Sequence, residues 1–116
     1  MTKPLRIYIA GPYTAADERG LENNTYAAID AAIAVFRKGH IPYVPHLTHY
    51  VDVRAKQTAT PMTWQDYLRW DMPWLELCDA VLYLAPSKGA DLEVKRAQEL
   101  RKTIFDSIDE IPVAGV

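Results

Sequence analysis

Three residues within one short stretch, Ser87-Lys88-Gly89-Ala90-Asp91-Leu92-Glu93, have the types and spacing to do chemistry on a small anionic or hydroxylated ligand. An apolar run, Ala80 to Leu84, precedes them. It is bracketed by Asp79 on one side and the Ser-x-Gly turn on the other, and a helical pattern follows. The stretch therefore reads as strand, tight turn, helix start. In an open α/β sheet such a turn lies at the carboxyl ends of the strands, where ligands bind and a new helix offers unpaired N–H groups to anions. The Ser87 hydroxyl and the bare backbone at Gly89 suit a phosphate or hydroxyl. Glu93 stands in the first turns of the helix, where the positive helix end favours an ionised carboxylate. That suits a nucleophile aimed at an electrophilic carbon. Each residue also has a plain reading: Glu93 as a helix former, Ser87 as an N-cap, Asp79 as a solvated residue at a strand entry.

Other polar residues stand out by context. Asp71 falls on the apolar face of a helical segment with Trp64, Leu68, Leu75 and Cys78. A carboxylate there must be paired or line a cavity, so it either orients a substrate hydroxyl or catalytic neighbour, or meets an N–H or arginine inside the fold. His46 and His49 form an H-x-x-H pair, but no cysteine or carboxylate pair nearby completes a metal set. The expectation is no metal and no cofactor, with His46 a polar residue touching substrate. Core packing accounts for Trp64 without base stacking.

The elements that position these residues follow from periodicity. Leu5 to Ala10 reads as a buried first strand stopping at Gly11-Pro12, followed by a loop to Gly20 that holds Arg19 as its cation. A helix with Tyr26, Ile29, Ile33 and Phe36 as its apolar stripe ends at Gly39. Ile41 to Val44 is a second strand, and the missing N–H of Pro42 argues for a sheet edge or a strand start. Pro45 to Met62 lacks periodicity and reads as a loop or lid. Thr63-Trp64-Gln65-Asp66 has the form of a capping box opening a helix that Pro73 should kink. The helix after Gly89 turns Ala90, Val94, Ala97 and Leu100 to the sheet; Thr103 to Phe105 can form a fourth strand, and Asp106 to Val116 has no clear assignment. Strand–helix–strand spacing implies parallel pairing. The expected architecture is a single three-layer α/β domain over residues 1–116. Its parallel sheet would have four or five strands in flavodoxin-like, Rossmann-like order, with a crevice at the carboxyl ends of the first and third strands.

Composition narrows the function classes. The chain has 116 residues, enough for one core, and a net charge of −2, which disfavours duplex nucleic acid bound through bulk charge. No apolar run approaches a membrane span, and the N-terminus lacks the form of a signal peptide. The single cysteine, Cys78, excludes an intrachain disulfide and fits inert core in a cytoplasmic protein.

The spacing Asp79…Ser87-x-Gly89-x-x-x-Glu93, after a first strand ending Ile7-Tyr8-Ile9-Ala10-Gly11-Pro12-Tyr13, resembles the nucleoside 2-deoxyribosyltransferase superfamily and its relatives, the deoxynucleoside 5′-monophosphate N-glycosidases. The chain is more similar still to small bacterial and phage proteins that share Pro45-His46-Leu47 and Trp74-Leu75…Cys78-Asp79-Ala80. The resemblance spans most of the chain. It implies that Glu93 is a nucleophile attacking C1′ to form a covalent glycosyl-enzyme, and that Asp79 is an acid assisting departure of the base. It further implies that Ser87, with the Gly89 and Gly11 backbone, holds the sugar 5′ end, and that Tyr8 and Tyr13 lie near sugar and base. The residue types agree, since an oxocarbenium-like transition state needs a carboxylate against C1′ and a proton for the leaving group. The first loop is poorer in glycine than in the phosphate-preferring enzymes, which leaves Arg19 to meet a phosphate. The implied partner is a small nucleoside or nucleotide, and the implied assembly a homo-oligomer. The alternatives are a non-catalytic nucleotide-binding or sensor module and a structural interaction protein.

Overall fold

Alternation along the first strand decides which side chains reach which layer. In the computed structural model, which describes residues 2–115, β1 (Arg6–Ala10) sends Ile7 and Ile9 to one face of the sheet and Tyr8 and Ala10 to the other. All four are fully buried, as a central strand covered on both faces requires. β2 (Ile41–Tyr43), β3 (Ala80–Tyr83) and β4 (Thr103–Phe105) complete a four-stranded sheet in the order β2-β1-β3-β4, every pair parallel. Tyr8 lies between Tyr43 and Val81 in register. This is the three-layer α/β, flavodoxin-like arrangement expected from the strand–helix spacing.

One face is covered by α1 (Glu18–Arg37) and by Ile111 of the C-terminal segment; the other by α3 (Trp64–Leu77) and α4 (Lys88–Glu99). The buried stripe of α1 is Thr25, Ala28, Ala32 and Val35, and not the larger set Tyr26, Ile33 and Phe36, which stays exposed. Small side chains let the helix lie close to the sheet, so the bulky set is turned aside. Gly39, at φ +92, ends α1 because a side chain there would be strained and would press on Ala114 at 3.0 Å.

The capping box at Thr63 is present: its hydroxyl accepts from the Asp66 N–H, and the Asp66 carboxylate accepts from the Thr63 N–H. α3 runs on through Pro73, which is exposed. The segment Pro45 to Met62 is not a structureless loop. It forms a 3-10 turn, Pro45–Leu47, then a short helix, α2 (Thr48–Ala55), and only residues 56–63 lack regular structure. The tail, expected to be irregular, includes a second 3-10 turn, Ile108–Glu110, and is tied to α1 by Lys38 Nζ, which donates to the Ile108 and Ile111 carbonyls. Among the described residues, no helix is long and apolar enough to cross a membrane.

Candidate functional site

A cleft of about 750 Å3 opens at the carboxyl ends of β1 and β3, within the size range of small-molecule sites. The loop after β1 supplies Gly11, Tyr13, Thr14 and Ala15; the turn and helix after β2 supply His46, Asp52 and Lys56. α3 contributes Trp64, Tyr67, Leu68 and Asp71, and the β3–α4 connection contributes Ser87, Lys88, Gly89 and Glu93. Asp52, Asp71 and Glu93 are the acidic groups of its lining, and the sequence explains the placement of the last two. Asp71 lies one turn after Tyr67 on the inner face of α3, and Glu93 one turn after Gly89 on α4.

Both carboxyl groups are buried. Burial lifts Asp71 to about 7, opposed by the Tyr43 hydroxyl, which donates to it over 3.2 Å. Burial also lifts Glu93 to about 8; the Tyr8 hydroxyl, which donates to its Oε2, opposes that rise, and the nearby charge of Asp71 adds to it. The helix end does not hold Glu93 ionised, because loss of water outweighs the dipole for a side chain this deep. Tyr8 and Tyr43 stack at 5.5 Å, and Tyr43 stacks on Trp74 at 5.6 Å. Their hydroxyls titrate well above the ordinary tyrosine range, first through burial and then through the carboxylates they face. Two phenols thus hold two carboxyl groups in fixed positions.

The far wall is polar but internally satisfied. Tyr67 donates to Asp52 over 2.9 Å, Lys56 pairs with Asp52 at 3.1 Å, and Tyr13 shares a hydrogen with His49 Nδ1 at 2.8 Å. Burial raises Tyr13 to about 12. His46 is buried with Nε2 at 3.0 Å from the Gly11 carbonyl and 3.2 Å from that of Pro12. Burial lowers its pKa, so the ring is neutral and carries its hydrogen on Nε2. It clamps the first loop, and among the described residues its Nδ1 has no partner. Lys88 Nζ lies 4.8 Å above the Trp64 ring at the cleft mouth.

The structure brings together Glu93, Asp71, Ser87, Gly89, Gly11, Tyr13 and His46 around the cleft, with Tyr8 reaching it through Glu93. Gly89 leaves open space where a side chain would intrude, its nearest neighbour being Trp64 Nε1 at 3.9 Å. Ser87 caps α4 by accepting from the Ala90 N–H at 3.0 Å while it lines the cleft. Two expected residues are elsewhere. Asp79 precedes β3 and Glu93 follows it, and the four-residue strand holds those ends roughly 13 Å apart at 3.3 Å per residue. The Asp79 carboxylate accepts from the Arg6 N–H at 2.8 Å at the amino end of the sheet, which excludes it as an acid in this cleft. Arg19 sits in the first turn of α1, exposed and outside the lining, because the helix begins at Glu18 and turns it to solvent.

Sequence reasoning missed Tyr43, Asp52, Lys56, Tyr67 and Lys88, and it assigned Trp64 to the core, whereas Trp64 is exposed and lines the cleft because it stands in the first turn of α3, beyond the sheet. Tyr67 was within reach, since it stands four residues before Asp71 on one helix face; the others depend on tertiary packing. Among the described residues, no group of three His, Cys, Asp or Glu side chains is placed to hold a metal ion. Cys78 is buried, and burial pushes its thiol up to about 11.

The fold and site define a parallel-sheet α/β protein with a carboxyl-bearing cleft at the carboxyl ends of its strands. The chain belongs to a family described as a domain of unknown function, DUF4406, whose model matches residues 5–106 and so spans the sheet and every cleft residue. No curated protein matches it.

Proposed function

We propose that the protein is an N-glycosidic-bond enzyme acting on deoxynucleosides or nucleoside 5′-monophosphates, as a hydrolase or a deoxyribosyltransferase, through a covalent glycosyl-Glu93 intermediate. The observation that carries this reading is the pair Glu93 and Asp71, two buried carboxyl groups in one cleft that titrate at about 8 and about 7. Between them they hold one proton near neutral pH; it rests mainly on Glu93, whose pKa is the higher, and the reactive form is the tautomer that carries it on Asp71 and leaves Glu93 ionised. In this scheme the Glu93 carboxylate attacks C1′. The C1′–N bond breaks, and the Asp71 proton passes to the departing base. Water, or a second base bearing an N–H, then attacks C1′, returns a proton to Asp71 and frees Glu93. Asp71 takes the role that the family resemblance suggested for Asp79.

Trp64, Tyr67, Leu68 and Tyr13 give the cleft flat apolar walls suited to a base. Of its two ammonium groups, Lys56 is already paired with Asp52 and Glu18, which leaves Lys88 to meet a 5′-phosphate. A single cysteine and the absence of an apolar segment of membrane-spanning length favour a cytoplasmic setting.

The test is incubation with a panel of deoxynucleosides and their 5′-monophosphates, followed by chromatography for free or exchanged base. Intact-mass measurement of acid-quenched protein should show a pentosyl adduct on Glu93. Saturable binding of these ligands with no base release and no adduct would make the cleft a binding module instead.

A further inference from the structure

Asp52 has no part in the glycosidic scheme, yet its side chain keeps 12% of its surface open and lines the cleft together with Lys56 and Tyr67. Its two carboxylate oxygens have different partners. Tyr67 donates its hydroxyl hydrogen to Oδ1 at 2.9 Å, and Lys56 Nζ lies 3.1 Å from Oδ2. These partners flank the carboxylate, so the wall reads in order as an ammonium donor, an acceptor and a second acceptor. Each group has a partner, and each keeps capacity for a ligand. A carboxylate oxygen offers two lone pairs and uses one here, and the ammonium has three hydrogens, of which Asp52 and Glu18, 3.7 Å away, engage two.

The position of this row suits the far edge of a base. Tyr67 precedes Asp71 by four residues on α3, which separates them by about 6 Å along the helix. A ligand whose C1′ meets Glu93 and whose departing ring meets Asp71 therefore has to extend past Asp71 to reach Asp52. The second ring of a purine covers that span better than a single pyrimidine ring.

We propose, resting on the glycosidic reading of the cleft, that Asp52 and Lys56 select guanine as the departing base, so that the substrate is deoxyguanosine or its 5′-monophosphate. Along one edge guanine presents the O6 acceptor and then two donors, the N1–H and the N2 amino group, which is the complement of the wall. O6 accepts from Lys56, N1–H donates to Oδ2, and the N2 amino group donates to Oδ1. The ring nitrogens N3 and N7 stay outside this set. One of them takes the Asp71 proton while the electron pair of the breaking C1′–N9 bond passes into the ring. Other bases fail at named contacts. Adenine in this register turns its amino group to the Lys56 ammonium and its N1 lone pair to Oδ2, and cytosine repeats both conflicts. Thymine sets a carbonyl oxygen against Oδ1. Hypoxanthine keeps N1–H and loses only the bond to Oδ1. Polar groups left unpaired in a closed site make such mismatches costly.

The test measures base release by wild-type protein from the four deoxynucleoside 5′-monophosphates and from deoxyinosine monophosphate. Guanine should lead adenine, cytosine and thymine by ~10²-fold or more in kcat/KM, with hypoxanthine about tenfold below guanine. Calorimetric binding of the same nucleotides to Glu93→Gln should follow the same order without turnover. Asp52→Asn keeps the shape and changes the row to donor, acceptor, donor, so it should lose guanine and prefer xanthine, whose edge reads acceptor, donor, acceptor. Lys56→Met, at a half-exposed side chain, should weaken guanine about tenfold and leave adenine no weaker. Base release without a preference for guanine would overturn the assignment and leave the glycosidic reading standing. So would a folded Asp52→Asn that still prefers guanine or, where that variant does not fold, a Lys56→Met with undiminished preference. Guanine-selective binding without base release would support the assignment and overturn the glycosidic reading, and binding of none of these nucleotides would overturn both.

Discussion

Two buried carboxyl groups with neighbouring titrations confine activity to a narrow range of pH. The reactive form of the Glu93–Asp71 pair holds one proton, so its population peaks between about 7 and about 8 and falls on either side. The expected kcat/KM profile is a bell centred there, read from base release across pH. Asp71→Asn should cut turnover by ~10²–10⁴, the usual contribution of a general acid, with less effect on substrates whose leaving base needs no proton. Glu93 carries a second, thermodynamic signature. It titrates at about 8 in the folded chain against an ordinary 4.5, so the protonated carboxyl favours the fold at acid pH, and that advantage is lost as pH rises through about 8. Glu93→Gln keeps the shape and an acceptor for the Tyr8 hydroxyl without the charge. It should abolish turnover while stabilising the protein by roughly 2–3 kcal/mol at about pH 9, with little change at about pH 4, measured by denaturant unfolding.

At the scale of elements, the segment after β2 separates what was legible in the sequence from what was not. Its lack of periodicity suggested a lid, yet α2 forms because His49 and Asp52 are buried toward the cleft and bonded to Tyr13 and Tyr67. Polar residues at three-residue spacing leave no apolar periodicity to mark a helix, and only the partners contributed by other elements make them inward ones. Amide exchange should therefore be slow across residues 48–55 without ligand, and saturating nucleotide should add protection only across 56–63, where regular structure is lacking. Fast exchange throughout 48–55 would return the segment to a lid. The same limit explains α1, where large apolar residues at helical spacing correctly located the helix and wrongly chose its buried face. Strands, the capping box at Thr63, the stop at Gly39 and the strand–turn–helix bearing Glu93 were legible because each rests on local chemistry. Asp71 was legible as an anomaly, but its partner Tyr43 lies on another element.

The whole molecule divides its labour between the two ends of one parallel sheet, and that division places Asp79. At the carboxyl ends the side chains are held at a cost to stability; at the amino ends polar groups close the fold. His40, fully buried, accepts from the Leu5 N–H at 3.0 Å and donates to the Pro112 carbonyl at 2.6 Å. Lys102 Nζ donates to the Cys78 carbonyl at 2.6 Å, beside the Asp79 carboxylate that caps the Arg6 N–H. That backbone bond is the main reason Asp79 titrates below its ordinary value, with the Arg6 charge adding to it. Its contribution is therefore present above the usual carboxylate range and is lost as pH falls through its lowered pKa. Adjacency to β3 and the family resemblance drew attention to Asp79, although it precedes the strand and so stands at the end of the sheet opposite the crevice. Asp79→Ala should cost ~1 kcal/mol at neutral pH, the scale of one half-exposed hydrogen bond to a charged group, and leave kcat/KM unchanged. Asp71→Ala should do the reverse, keeping or raising the unfolding midpoint while activity collapses. Measuring both variants for unfolding and base release decides the assignment: loss of turnover in Asp79→Ala with Asp71→Ala still active would return the acid to Asp79 and require the sheet to open at its other end.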